Sequence, residues 1–308
     1  LLTIIRFLFW KTNISTTTNT IFNMDYIAKS QFDIFEDLGG SLLVGFNYNS
    51  KTRVVEGSEG TNFIQFLDVA SGIRDINNSL PENISVTSSE GQERTTGVYS
   101  ALNLSAYEML FLNATIRVES ASTFGNTSDN TFAFPSASLA WQFSELLNLE
   151  DSFFSFGKLR TSYGEVGVQP ARYNTSNTFV SPSLGDTFGG DLDISLYGNG
   201  GFVPSASRGN SALRPERKKE MEFGTDLRFF KNRLRFSATY FDNVTEDVLL
   251  NFPVPNSTGY SSIYANGAEI QNHGIELDLG YQILLTEDFS WSVNTNFTIL
   301  QSEVTSLA

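Results

Sequence analysis

EMEFGTDLRFFKNRLRFSATYFDNVTEDV, spanning Glu220 to Val248, is two alternating runs joined by a turn. In the first run Phe223, Thr225, Leu227 and Phe229 share one parity, and Glu222, Gly224, Asp226 and Arg228 share the other. After Phe230-Lys231-Asn232 the alternation resumes, with Leu234, Phe236, Ala238 and Tyr240 set against Arg235, Ser237 and Thr239. A period of two marks a β-strand with two unlike environments. The short polar turn pairs the runs as an antiparallel hairpin. The second run keeps its pattern for about 15 residues, against a usual 5–6 in globular sheets. Long strands with one apolar and one polar face are what a membrane-spanning barrel requires.

The same alternation recurs on both sides. A strand is expected from Asp25 to Phe35, then a turn at 36–40, then Leu42, Val44, Phe46 and Tyr48 against Gly45 and Asn47. Val98, Ser100, Leu102 and Leu104 lead through a turn at 106–109 into Leu110, Leu112, Ala114, Ile116 and Val118. Opposite these lie Asn113, Thr115, Arg117 and Glu119. Leu139, Trp141 and Phe143 precede a turn at 145–151, and Leu159, Thr161 and Tyr163 follow it. A last hairpin sets Ile275, Leu277, Leu279, Tyr281 and Ile283 beside Trp291, Val293, Phe297 and Ile299, across 286–288. Polar segments 50–94 and 165–219 read as long loops, and 120–131 and 251–271 as medium ones. Short and long connections therefore alternate without exception, which puts the short turns on one rim and the long loops on the other. Outer-membrane barrels sort their connections in this way; a soluble sandwich has no reason to. The expectation is an all-β, antiparallel, up-and-down transmembrane barrel, present in part: about ten strands, with an eleventh at Leu1 to Trp10. Tyr48, Trp141, Tyr163, Tyr240 and Trp291 lie along or near strand ends. They suit either interfacial girdles or ordinary strand packing.

Composition narrows the function. The chain has 308 residues, 27 Phe, 11 Tyr and a net charge of −14. Such acidity excludes nucleic acid as a partner, because phosphate binding needs clustered Lys and Arg. Without cysteine there is neither a disulfide framework nor a thiolate metal site, and His273 as the single histidine excludes a multi-histidine one. No run reaches the roughly 18–20 apolar residues of a membrane helix. Leu1 to Trp10 is interrupted by Arg6 and lacks the features of a signal peptide.

Several stretches resemble the barrel of SusC/RagA-type TonB-dependent outer-membrane transporters. ALRPERKKEMEFGTDLRFFKNRLRFSATYFDNVTEDVLL, Ala212 to Leu250, is similar to that family's order of Leu-x-Pro-Glu, Glu-x-Gly-x-Asp, Asn-Arg-Leu and Thr-x-Asp-x-Leu. PNSTGYSSIYANGAEIQNHGIELDL, Pro255 to Leu279, resembles the segment ending Asn-x-Gly-x-Glu-Leu. TTGVYSALNLSAYEMLFLNATIRVESASTF, FAFPSASLAWQFSEL and KLRTSYGEVGVQP look like further strands of the same family. The resemblance covers about Val44 onward; the first 40 residues match poorly. It implies a barrel of about 22 strands around a plug. It also implies energy from TonB–ExbB–ExbD acting through that plug, and a SusD-like lipoprotein that delivers oligosaccharides or peptides. The plug, TonB box and closing strands are not in this sequence, so residues 1–308 are expected to be an internal piece of such a barrel.

Transport needs a polar lumen and ligand-holding loops, and no catalytic group. Because an Arg or Lys facing lipid at the midplane costs about 2–4 kcal/mol, the charged alternates are expected to face inward. These include Arg117, Arg160, Asp226 and Arg228. Arg235, Glu276 and Asp278 complete the set. Ligand contact is expected from the loop 165–219, at Arg172, Tyr173, Asn174 and Asn177. Phe179, Phe188, Tyr197 and Phe202 supply its aromatic faces. No cofactor is expected. Asp186, Asp191 and Asp193 are candidates for Ca²⁺ but lack the spacing of an EF-hand loop. His273 has no hydrolase motif beside it and reads as a strand-entry residue rather than a base. The alternative to import is a surface adhesin or structural outer-membrane protein whose loops bind ligand while nothing crosses.

Overall fold

The computed structural model describes residues 11–61, 76–125, 130–147, 149, 153–180 and 201–307. Ten long strands are joined as neighbours. They are β1 (Lys11–Phe35), β2 (Leu38–Thr61), β3 (Ile84–Ala106), β4 (Leu110–Ala121), β5 (Thr131–Trp141) and β6 (Phe154–Val168), followed by β10 (Glu216–Phe229), β11 (Leu234–Pro253), β12 (Ser262–Leu285) and β13 (Ser290–Leu307). Three short pieces lie between β6 and β10: β7 (Phe179–Val180), β8 (Val203–Pro204) and β9 (Ser207–Arg208). Each long strand pairs with the next one in the chain, β6 passing to β10, and β9 adds to β12. This is the up-and-down order expected. The contacts divide the chain into two units, Leu1–Met24 with Asn49–Arg94, and Asp25–Tyr48 with Thr95–Ala308.

In the larger unit the register keeps the two faces separate from strand to strand. Phe223 lies opposite Tyr240, Thr225 opposite Ala238 and Leu227 opposite Phe236. These continue into Ile275, Leu277 and Leu279, then Ile299, Phe297 and Thr295. On the other side Leu139 meets Thr161, and Leu112 meets Leu139 and Leu104. The apolar side chains on this face are exposed, Val98, Ile116, Phe223, Phe297 and Ile299 each by about half. Only a non-aqueous medium would remove that cost, which is why a sheet with so little buried core is stable in lipid.

One transverse row runs Leu102, Ala114, Ala137, Tyr163, Met221, Asp242, His273, Gln301. On β3 and β4 apolar residues continue four positions past it, to Val98 and Val118. On β6 and β10 they stop at Tyr163 and Met221, before Glu165 and Lys219. On β11, β12 and β13 they stop two positions short of the row, at Tyr240, Ile275 and Ile299. Across eight strands the boundary thus steps by six residues, about 20 Å of strand against about 34 Å of sheet width, a tilt of roughly 30°. That is close to the roughly 35–45° tilt of membrane barrels. The apolar run is nine residues on β4, Leu110 to Val118, and nine on β13, Trp291 to Ile299. A tilted strand crosses a bilayer in about 9–11 residues.

The structure differs from the sequence reading in the lengths of the strands. Residues 50–61 and 84–94, read as loop, are strand, as are 251–253 and 262–271. The connections shrink to 62–83, 169–215 and 254–261. These extensions mix polar and apolar residues on both faces, so the alternation that identifies a strand disappears. In the smaller unit they are tied by side-chain ladders, with Gln92 Nε2 donating to Ser50 Oγ at 3.4 Å and to Thr52 Oγ1 at 3.3 Å. β1 starts at Lys11 rather than Asp25, while the strand expected at Leu1 to Trp10 lies outside the described residues. The turn at 142–153 is longer than expected and exceeds the medium connections 122–130 and 254–261, so the alternation of short and long has an exception. Its aromatic rings explain the length. Phe143 stacks on Phe154 at 6.0 Å, and Phe153 stacks on Phe229 at 5.9 Å. On β12 the register slips between Gln282 and Leu284, so Leu284 rather than Ile283 meets Trp291.

Candidate functional site

The polar face carries a bonded network. Arg160 Nη2 donates to Thr239 Oγ1 at 2.6 Å, and its Nε lies 3.5 Å from Asp226 Oδ2. Asp226 also accepts from Ser237 Oγ at 2.7 Å. Arg117 reaches Glu119 at 2.7 Å and lies 5.9 Å from the Tyr99 ring centroid. Glu276 sits opposite Thr239 and Thr298, and Asp278 opposite Ser237 and Asn296. Arg228 and Arg235 are direct cross-strand partners. The register therefore gathers Arg117, Arg160, Asp226, Arg228, Arg235, Glu276 and Asp278 on the face opposite Phe223, Tyr240 and Phe297. Past the end of the apolar band, the apolar face also becomes charged. Glu165 pairs with Arg217 there, and Lys219 with Glu246 at 2.7 Å.

The long connection 169–215 is the second component. Tyr173, with φ of 66°, and Phe179 and Phe202 are all exposed by more than 60 %. Phe179 belongs to the β7–β8 pair, opposite Pro204. Arg172 and Asn174 are half-buried. Asn177 is exposed, and its Oδ1 accepts the Gly209 amide at 2.9 Å. At Gly209 a Cβ would come within 2.2 Å of the Ser176 carbonyl carbon, so the two limbs of the loop can touch only there without a side chain. Phe188, Tyr197 and the three aspartates 186, 191 and 193 lie outside the described residues.

Sequence reading missed what holds this loop. Among the described residues the buried hydrophobic side chains are Ala121, Phe124 and Leu213; Leu213 lies in this connection, and Thr123, beside Phe124, donates to Gln169 at its start at 3.3 Å. Asn266 accepts the Arg214 amide at 2.9 Å and donates to the carbonyls of Arg214 at 2.9 Å and Asp247 at 2.8 Å. Arg214 Nη2 reaches Asp247 Oδ1 at 2.6 Å, and Glu216 Oε1 accepts the Leu249 amide at 2.7 Å. The β11 register slips between Thr245 and Val248, with Asp247 at φ 56°. The Leu213-Arg214-Pro215-Glu216 stretch and Asn266-Gly267 are thus two halves of one clamp. The first half carried a sequence signal, the Leu-x-Pro-Glu motif, whose purpose alternation does not reveal; Asn266 lies outside the Asn-x-Gly-x-Glu-Leu motif and carried none.

Residues 5–306 match the family described as TonB dependent receptor-like, beta-barrel. Among curated proteins the chain is 29% identical over 248 residues to TonB-dependent receptor P39 of Formosa agariphila, covering 77% of this chain and 22% of that one. It is 26% identical over 220 residues to TonB-dependent receptor SusC of Bacteroides thetaiotaomicron, covering 68% of this chain and 20% of that one. Among solved structures it superposes on the RagAB peptide transporter with a TM-score of 0.80 at 21% identity, covering 96% of this chain and 31% of that one. The chain thus spans less than a third of the length of these relatives. With its two-faced sheet and exposed apolar band, and with its similarity to SusC and RagAB, the chain belongs to the β-barrel domain family of TonB-dependent receptors, proteins of the bacterial outer membrane.

Proposed function

We propose that this chain is part of the wall of an importer for oligosaccharides, or for peptides, energised through TonB–ExbB–ExbD. The carrying observation is the polar face, continuous in register across β3 to β13 and backed by an exposed apolar band. In this reading Arg117, Arg160, Asp226, Arg228, Arg235, Glu276 and Asp278 face the water-filled passage, and outer-membrane lipid meets Phe223, Tyr240 and Phe297. A SusD-like lipoprotein hands cargo to the loop side, where Tyr173, Phe179 and Phe202 offer flat faces on a clamped base. Sugar rings and peptide side chains both pack on such faces, and Arg172 and Asn174 supply polar contacts beside them. No step needs a catalytic group. The names of SusC and of the RagAB peptide transporter favour this reading.

The test is uptake by cells expressing the full-length receptor and its lipoprotein, with and without TonB. Loss of uptake on TonB deletion is expected while surface binding persists. Binding with no uptake in either strain would make the protein an adhesin. Replacing Tyr173, Phe179 and Phe202 by alanine should weaken cargo binding by about 0.5–1.5 kcal/mol for each ring that stacks.

A further inference from the structure

A recess of about 360 Å³ opens on the polar face at the turn end of β6 and β10 to β13. Three cations line it, Lys158, Arg228 and Arg235, and two carboxylates, Asp226 and Asp278. Asp226 is already satisfied by Arg160 and Ser237, so the cations outnumber the remaining carboxylate by two. This is an excess of positive charge in a chain whose net charge is −14. Arg228 and Arg235 face each other directly across the β10–β11 ladder, a like-charge placement that destabilises a sheet unless an anion lies between. Neither makes an ion pair among the described residues. Both are instead held in place from behind. The Arg228 guanidinium lies 4.7 Å from the Phe156 ring centroid. Arg235 spreads over Gly280, where a Cβ would stand 3.4 Å from its Nε and 2.9 Å from Asn294 Oδ1.

We propose that this recess is a carboxylate site. Two guanidinium groups supply paired N–H donors to the two oxygens, Lys158 adds charge, and Asn294 and Asn296 supply amide donors at the rim. The carboxylate comes either from a soluble ligand or from an acidic side chain elsewhere in the full-length receptor. The site does not depend on import, and it stands or falls separately from the uptake experiment.

The test uses the full-length receptor in detergent, with acetate and citrate as probes followed by calorimetry, and thermal melts at low and high salt. If the carboxylate is soluble, citrate binds. Arg228→Gln with Arg235→Gln then weakens it about tenfold or more, the loss expected when charged hydrogen bonds go. If the carboxylate belongs to the receptor, the probes do not bind, and the double variant lowers Tm at low salt while losing the salt sensitivity of the parent. Arg228→Lys with Arg235→Lys should restore part of either effect, and Lys231→Gln, in the adjacent turn outside the recess, should change neither. A parent that binds no probe, with the same salt-dependent Tm as the double variant, overturns the proposal.

Discussion

Asn266 makes three hydrogen bonds with a single side chain, two to the backbone of Arg214 and one to Asp247. Alanine there removes the side-chain partner of the Arg214 amide and of two carbonyls while deleting almost no apolar contact. The expected cost is about 1–3 kcal/mol of local stability, concentrated at the loop base. Amide exchange of the full-length receptor should therefore quicken by about tenfold or more around residues 206–214, with the centres of β11 and β12 unchanged. Gly209→Ala should produce the same local opening by a different cause, because its Cβ has no space against Ser176. Unchanged exchange in both variants would mean that the clamp does not hold the loop. The Leu-x-Pro-Glu half was legible as a motif, but Asn266 lies outside Asn-x-Gly-x-Glu-Leu, which is Asn272 to Leu277, and its pairing with Arg214, 52 positions away, required the fold.

At the scale of the strand, neighbouring positions have opposite solvents. Phe297 of β13 pairs with Leu277 on the exposed apolar face, and Thr298 pairs with Glu276 on the polar one. Phe297→Lys should cost about 2–4 kcal/mol near the midplane, and Thr298→Lys close to nothing, since it faces a carboxylate across the ladder. Denaturant unfolding of the receptor from lipid vesicles measures both; equal costs would refute the assignment of faces. Among the described residues, alternation read from the sequence located the strands that cross the apolar band, because lipid on one side and water on the other imposes the period of two. It ended β2 and β11 too early and began β3 and β12 too late. In these extensions neither face is uniformly apolar, and backbone ladders, joined by side-chain bonds such as Gln92 to Ser50, maintain the strand.

At the scale of the whole molecule the aromatic residues sort by level. Trp141, 5.9 Å from the Phe143 ring, and Trp291, opposite Leu284, lie at the turn end of the band, and Tyr163 and Tyr240 lie at its loop end, just before Glu165 and Asp242. In single-tryptophan variants of the receptor in vesicles, Trp141 and Trp291 should be quenched by bromine placed high on the acyl chain and little by bromine at the chain terminus. Deep quenching of either would shift the band. Composition and periodicity alone established an all-β chain with one lipid-compatible face and assigned the turn rim. These properties reside in residue type and spacing, and each is local. Only the tertiary structure produced the stepped boundary that reveals strand tilt, the clamp at Asn266, and the opposed pair Arg228 and Arg235. Each of these depends on which residue of a distant strand lies opposite, and register is set by the whole ladder and its bulges rather than by any one segment.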